Sequence, residues 1–139
     1  MKIDLHWLVR FKLRWLLTLF MIASAINHFL TPDAHAAIIP DALPAHRALV
    51  YLSGIAQVVL GLGLIPHATR RASAWGLIVL LVLLFPANVN MAIHDLALGE
   101  RHLPTWVLWV RLPLQAVFIG WAWLFTRQEP APAVVPAPR

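Results

Sequence analysis

Seven polar side chains within otherwise apolar stretches are the residues of this sequence that could form a binding site. They are Asn27, His28, Gln57, Asn88, Asn90, Arg111 and Gln115. Amide, imidazole and guanidinium groups orient ligands by hydrogen bonds, and polar groups inside apolar segments are costly unless they are paired or functional. Several belong to i,i+4 pairs, which lie on one helix face: Ser24 with His28, Ser53 with Gln57, Asn90 with His94, and Arg111 with Gln115. The pattern predicts a polar ligand pocket without a catalytic residue.

The wall of this pocket is expected around Pro86, at the end of the most apolar run, Ala72 to Leu84. A proline inside a helix removes one N–H and frees the carbonyl four residues earlier, here that of Val82. In lipid, such groups need partners on neighbouring helices. We therefore predict a kink at Pro86 that directs Asn88 and Asn90 into the pocket. The competing interpretation is that these polar residues only join the helices to one another.

The histidines form no metal-binding pattern. His28, His35, His46, His94 and His102 include no H-x3-H or HExxH arrangement. The chain has no cysteine, which excludes disulfides and Cys-ligated metal or iron–sulfur sites. It also has no CxxCH motif for haem attachment. We expect no metal site, and the sequence identifies no cofactor.

Composition indicates an integral membrane protein. The chain has 139 residues, of which 60% are hydrophobic and 12% charged, whereas soluble domains average roughly 25% charged residues. The length allows about four spans of ~20 residues. We predict an all-α transmembrane four-helix bundle in a single domain, 1–127, followed by a disordered Pro/Ala-rich tail, 128–139. The predicted spans cover about 15–30, 45–65, 72–94 and 105–125. A signal peptide ending near Ala36 is the alternative for the first span.

The basic residues are distributed unevenly about these spans, which argues against nucleic-acid binding as the reason for the net charge of +5. Eight lie on the side of the two termini: Lys2, Arg10, Lys12, Arg14, Arg70, Arg71, Arg127 and Arg139. Three lie on the other side: Arg47, Arg101 and Arg111. The positive-inside rule then places both termini in the cytoplasm, and the protein in the inner (plasma) membrane as a multi-pass protein. All seven pocket residues fall in the outer half of the bundle.

Arg111 lies about one turn into the fourth span and needs a partner there. The acids nearest to it are Asp95 and Glu100, on the loop after the third span. We predict that Arg111 packs against the 94–103 loop, with Asp95 as its partner and its remaining donors facing the pocket. The alternative is that its side chain extends outward to lipid phosphates.

The chain resembles the DoxX family of small four-span membrane proteins from about Leu13 to Phe125. The resemblance is carried by Ala25–Phe29, Tyr51–Gln57, Gly61–Ile65 before a Thr-Arg-Arg turn, Phe85–Ala92 and Arg111–Gln115. The family commonly has a glutamate where this chain has Gln57. Any proton or charge role of that carboxylate is therefore not expected here.

The resemblance implies an accessory subunit of a membrane oxidoreductase system, more often non-catalytic than an enzyme. Its implied partners are the lipid bilayer, a membrane or peripheral oxidoreductase, and a quinone-like or lipid ligand. The alternative is an assembly or chaperone-like protein that binds partner membrane helices. A carrier is disfavoured because the sequence shows no inverted repeat.

Overall fold

A computed structural model describes residues 5–127, and this part of the chain is helical. The helices are α1 (Leu5–Leu30), α2 (Pro32–Ala36), α3 (His46–Gly63), α4 (His67–Ile93) and α5 (Thr105–Trp123). Within the described range the only strand-like pairing is an isolated bridge between Leu98 and Arg101. The all-α prediction is confirmed. The predicted tail, 128–139, lies outside the described residues.

The four long helices correspond to the four predicted spans, with three differences. Helix α4 begins at His67 rather than near Ala72, so Thr69, Arg70 and Arg71, which were predicted as a turn, are helical. Helix α1 begins at Leu5 rather than near residue 15, because the basic and aromatic residues before Trp15 continue the helix. The short helix α2 occupies part of the predicted loop 31–47, and Pro32 is in its first turn. Proline suits that position since the first turn has no intrahelical use for its N–H group.

One proline and one arginine define the turn between α3 and α4. Pro66 precedes the first residue of α4 with an extended backbone. The buried Arg70 donates from Nε to the carbonyl of Leu64 at 3.1 Å and from Nη2 to that of Ile65 at 3.1 Å. Thr69 donates to the Gly63 carbonyl at 2.7 Å. These bonds satisfy carbonyls that the end of a helix leaves without partners.

The long helices pack antiparallel in the order α1, α3, α4, α5. Thr18 of α1 donates to the Gly61 carbonyl of α3 at 2.9 Å. The ring of Trp75 on α4 meets that of Trp123 on α5 at a centroid distance of 5.2 Å. Arg10 of α1 donates to the Leu124 carbonyl at 2.6 Å, just after α5. The last two contacts place the start of α1 and the end of α5 at the same end as the α3–α4 turn.

The bundle therefore has two ends of different character. One, here called the basic end, contains the α3–α4 turn and the end of α5, with Arg10, Arg70 and Arg127. The other, here called the loop end, contains α2 and the connections 37–45 and 94–104. A buried cluster of Leu17, Met21, Leu64, Ala74, Leu77, Ala122 and Phe125 lies toward the basic end. A second cluster of Ile38, Met91, Ala92 and Leu108 lies at the loop end.

Large apolar side chains cover the outside of all four long helices. Leu30, Leu52, Leu83 and Val117 are 74%, 62%, 69% and 60% exposed. Among the described residues, two helical segments are long and apolar enough to cross a membrane, Trp7–Leu30 and His67–Ile93. The polar residues of α3 and α5, which include those of the predicted pocket, lower the mean hydropathy of those two helices.

A cavity at the loop end of the bundle

A cavity of about 770 Å³ opens between the long helices at the loop end. Six of the seven sequence-predicted residues line it: Asn27, His28, Gln57, Asn88, Arg111 and Gln115. They come from all four long helices. Residues 38, 39 and 43 of the connection after α2 also contribute to its wall. Three of the four i,i+4 pairs thus face one shared space, whereas the pair on α4, Asn90 with His94, does not line it.

On the α4–α5 side, three of these residues form a continuous hydrogen-bond network. Asn88 donates from Nδ2 to Oε1 of Gln115 at 2.7 Å. Gln115 donates from Nε2 to the carbonyl of Leu81. Arg111 donates from Nη2 to Oδ1 of Asn88 at 3.3 Å. The carboxamide of Gln115 is therefore satisfied on both sides, by one residue of α4 before Pro86 and one after it.

Pro86 lies inside α4, which continues as one helix to Ile93. The proline also lines the cavity. A proline at this position leaves part of the helix short of internal hydrogen bonds. The carbonyl predicted to be freed by Pro86 is that of Val82. Gln115 bonds to the carbonyl of the preceding residue, Leu81. The polar groups of α5 thus meet α4 next to the proline that interrupts its own hydrogen bonding.

The predicted partner of Arg111 is wrong. Its other contact is a weak one, from Nη1 to Sδ of Met91 at 3.4 Å. Asp95 instead accepts a hydrogen bond from Thr105 at 3.2 Å. Asp95 lies past the end of α4 with a φ of 50°, whereas Arg111 lies further into α5 and faces α4 itself. The guanidinium thus has an amide and a thioether as partners, and its contacts within residues 5–127 include no carboxylate.

The prediction that Asn90 faces the pocket is also wrong. Its Nδ2 donates to the carbonyl of Ile38 at 2.9 Å, and Asn90 is not among the residues of the cavity wall. Two residues along a helix correspond to a rotation of about 200°. Asn88 and Asn90 consequently face different neighbours. Asn90 attaches the connection after α2 to α4, and this connection forms part of the cavity wall.

On the α1 side, two histidine rings lie against each other. His28 stacks on His35 with ring centroids 4.3 Å apart. Nδ1 of His28 lies 2.8 Å from the Ser24 carbonyl, and Nε2 of His35 lies 3.3 Å from Nδ2 of Asn27. His35 is buried and lines the cavity, although the sequence placed it in a loop. The position of His35 four residues after Thr31 could have indicated this placement, because one helical turn brings its Nδ1 to 2.9 Å from the Thr31 carbonyl.

Gln57 differs from the other polar residues of the cavity. It is 3% exposed, and its Oε1 has no hydrogen-bond partner among the described residues. It also lines the cavity. Most buried polar side-chain atoms in proteins have at least one partner, so an unpaired one requires an explanation.

The wall of the cavity determines what chemistry it can support. Most of the lining residues are aliphatic or aromatic, and its polar groups are amides, imidazoles, hydroxyls and one guanidinium. The side chains of the wall, all within residues 5–127, include neither a carboxylate nor a thiol. In the same range no three potential metal ligands come together. Apolar walls with a few converging polar groups are typical of small-molecule binding sites.

Residues 17–126 match the model of a protein family described as Domain of unknown function (DUF8561). The chain belongs to this family. The matched range contains all seven sequence-predicted residues and the helices that carry them, apart from the first residues of α1. No curated protein and no solved structure matches the chain. The description of the family does not assign a function, so the cavity itself is the basis for one.

Proposed function

We propose that this protein is a four-span membrane protein of the DoxX type that binds a small amphipathic molecule in the cavity at its loop end. The observation that carries the proposal is the cavity of about 770 Å³, to whose wall all four long helices contribute polar residues. Its volume is within the range of ligand pockets, about 300–1,000 Å³.

The exterior of the helices supports the location in a membrane. Soluble monomers rarely expose contiguous apolar patches larger than a few hundred Å². Here exposed leucine, valine, isoleucine and phenylalanine side chains occur along every long helix. Charged residues gather instead at the two ends, and more basic ones lie at the basic end. The positive-inside rule then favours a cytoplasmic basic end and an outward-facing cavity in the inner membrane.

The contents of the cavity support binding rather than catalysis. A general acid or base needs a group that gains or loses a proton near neutral pH, usually a histidine or a carboxylate. The wall offers two histidines, each held by a backbone carbonyl, that of Ser24 or Thr31. Among the described residues it offers no carboxylate to act with them as an acid–base pair. We therefore assign the chemistry to a partner, and propose that this protein is a non-catalytic accessory subunit of a membrane oxidoreductase. This assignment rests on the DoxX resemblance.

Native mass spectrometry of the detergent-extracted protein tests the proposal. We expect the wild-type protein to retain a small molecule and His28→Leu to lose it. His94→Leu is the matched control, because both histidines contact the carbonyl four residues earlier, at 2.8 Å for His28 and 3.1 Å for His94. His94 is exposed and lies outside the cavity wall.

Two results would contradict the proposal. In the first, the wild-type protein carries no small molecule and takes none up from a membrane lipid extract. In the second, both histidine variants retain the molecule equally. A stoichiometric protein partner on a ligand-free bundle would favour the alternative of an assembly protein that binds other membrane helices.

A further inference from the structure

We infer that the molecule bound in the cavity carries a hydroxyl group, and that this hydroxyl donates a hydrogen bond to Oε1 of Gln57. The inference rests on the proposed function, which states only that the cavity binds an amphipathic molecule. It adds the chemical class of the head group and the residue that recognises it.

Two buried glutamines of the cavity wall differ in their hydrogen bonds. Gln57 is 3% exposed and Gln115 is 5% exposed, and both line the cavity. The carboxamide of Gln115 accepts from Asn88 and donates to the Leu81 carbonyl. Oε1 of Gln57 is fully buried and has no partner among residues 5–127, so the carboxamide must rotate toward the cavity for a ligand to reach this oxygen. The fold thus satisfies one glutamine and leaves an acceptor on the other unsatisfied.

Gln57 lies inside the bundle, level with the middle of the cavity-lining part of α1. A Cβ built on Gly54 would lie 3.4 Å from Cβ of His28, and one on Gly61 would lie 3.1 Å from Cβ of Met21. Gln57 is between these two glycines, so it lies level with the segment of α1 between Met21 and His28. Its carbonyl oxygen is therefore inside the bundle rather than at its surface.

Helix α5 reaches the same depth. Phe20, beside Met21 in α1, stacks on Phe118 with ring centroids 4.3 Å apart. Gln115 is one turn from Phe118 toward the loop end, and Arg111 is one turn further. A head group that reaches Gln57 from the loop end therefore passes the level of Arg111.

The surroundings of Gln57 restrict which hydrogen-bond donor the bound molecule can carry. An unsatisfied carbonyl oxygen needs a hydrogen-bond donor, which excludes head groups with only ketone, ester or ether oxygens. An ammonium donor would approach the positive charge of Arg111, whose contacts among the described residues include no carboxylate. A hydroxyl is a neutral donor, and its oxygen can also accept a hydrogen bond from a guanidinium. Leu80, Leu83 and Leu84 in the wall suit an attached alkyl chain.

The test uses 4-octylphenol and its methyl ether 4-octylanisole, two probes in which the same oxygen carries either a donor hydrogen or a methyl group. Their dissociation constants are measured by calorimetry on the detergent-solubilised full chain. We expect wild-type protein to bind the phenol about fivefold to tenfold more tightly, the usual effect of one net hydrogen bond. Gln57→Leu should bind the two probes equally, at the affinity of wild-type protein for the ether. Gln57→Met replaces it if leucine disturbs folding.

The outcomes separate the inference from the proposed function. If wild-type protein binds both probes equally, the hydroxyl inference is wrong, although the cavity still binds amphiphiles. If the preference persists in Gln57→Leu and Gln57→Met, the hydroxyl is recognised elsewhere and the inference is also wrong. If neither probe binds to wild-type protein, the proposed function fails and the inference fails with it. The control His94→Leu should retain the wild-type preference.

Discussion

Replacing Gln57 by leucine should leave the free energy of unfolding unchanged or raise it, whereas the same change at Gln115 should lower it. The two residues have the same side chain, similar burial and the same cavity. They differ in their hydrogen bonds. Gln115 bonds to Asn88 and to the Leu81 carbonyl, whereas Oε1 of Gln57 has no partner within residues 5–127. The comparison therefore isolates the effect of satisfying a buried amide.

The expected magnitudes follow from these contacts. Polar contacts between membrane helices contribute ~0.6 kcal/mol each on average, and hydrogen bonds in soluble proteins about 1 kcal/mol. Gln115→Leu loses two bonds and leaves Asn88 without its acceptor, so it should destabilise the protein by roughly 1–2 kcal/mol. A buried acceptor without a partner costs about 1–3 kcal/mol. Gln57→Leu removes such an acceptor and adds apolar packing, so we expect a change between zero and about 1 kcal/mol of stabilisation.

Reversible unfolding in mixed micelles, followed by the loss of helical circular dichroism, measures both changes under one set of conditions. The protein should be stripped of bound small molecules first, because a ligand that binds only the folded state would stabilise the wild-type protein. The reasoning is refuted if Gln57→Leu destabilises the protein as much as Gln115→Leu. That result would mean that Gln57 has a partner inside the folded protein, and the hydroxyl inference would lose its basis.

Three further predictions concern packing, charge and topology. Gly61→Ala should destabilise the bundle by about 1–3 kcal/mol, because the new Cβ would lie 3.1 Å from that of Met21. Gly120→Ala, whose new Cβ would have no described atom within 4 Å, should stabilise α5 by roughly 0.5–1 kcal/mol. Equal effects of the two changes in thermal unfolding would contradict this packing. Arg111→Lys should impair ligand binding nearly as much as Arg111→Leu, because one ammonium cannot reproduce a guanidinium that contacts two acceptors. Full ligand binding by the lysine variant would mean that Arg111 is only an interfacial anchor. A reporter that fluoresces only in the cytoplasm should be bright when fused after Arg127, and a dark fusion with an active periplasmic reporter would invert the proposed topology.

The helices could be predicted because their signals are local. Pro104 marks the start of α5, as predicted, and an apolar run of nearly the predicted length follows it. Pro66 likewise precedes α4, although the third span was predicted to begin only near residue 72. The depth of the polar residues also followed from the sequence, since antiparallel helices with short connections bring residues near the same turn to the same end. Membrane insertion and orientation remain predictions, and they rest on composition and on the distribution of basic residues.

The errors concern contacts that are not local. Asn90 bonds to the Ile38 carbonyl, and Arg111 contacts Asn88 and Met91 rather than Asp95. Sequence spacing indicates which residues share a helix face, but not which neighbour that face meets. Helix α2 escaped prediction because its five residues are too few for a periodic pattern.

The distinction that matters most for function, between satisfied and unsatisfied polar residues, is the one that sequence alone could not make. Several partners in this cavity are backbone carbonyls, those of Leu81, Ser24 and Thr31. Every residue has a carbonyl, so no pattern of side chains reveals which one a glutamine or a histidine will find. Once these bonds are assigned, Gln115, His35 and Nδ1 of His28 are occupied within the fold. Among the described residues, Oε1 of Gln57 is left, together with Nε2 of His28 and the weakly paired guanidinium of Arg111. A ligand gains most where the fold leaves hydrogen-bonding capacity unused, and for this reason recognition is assigned to these three residues rather than to the whole polar set.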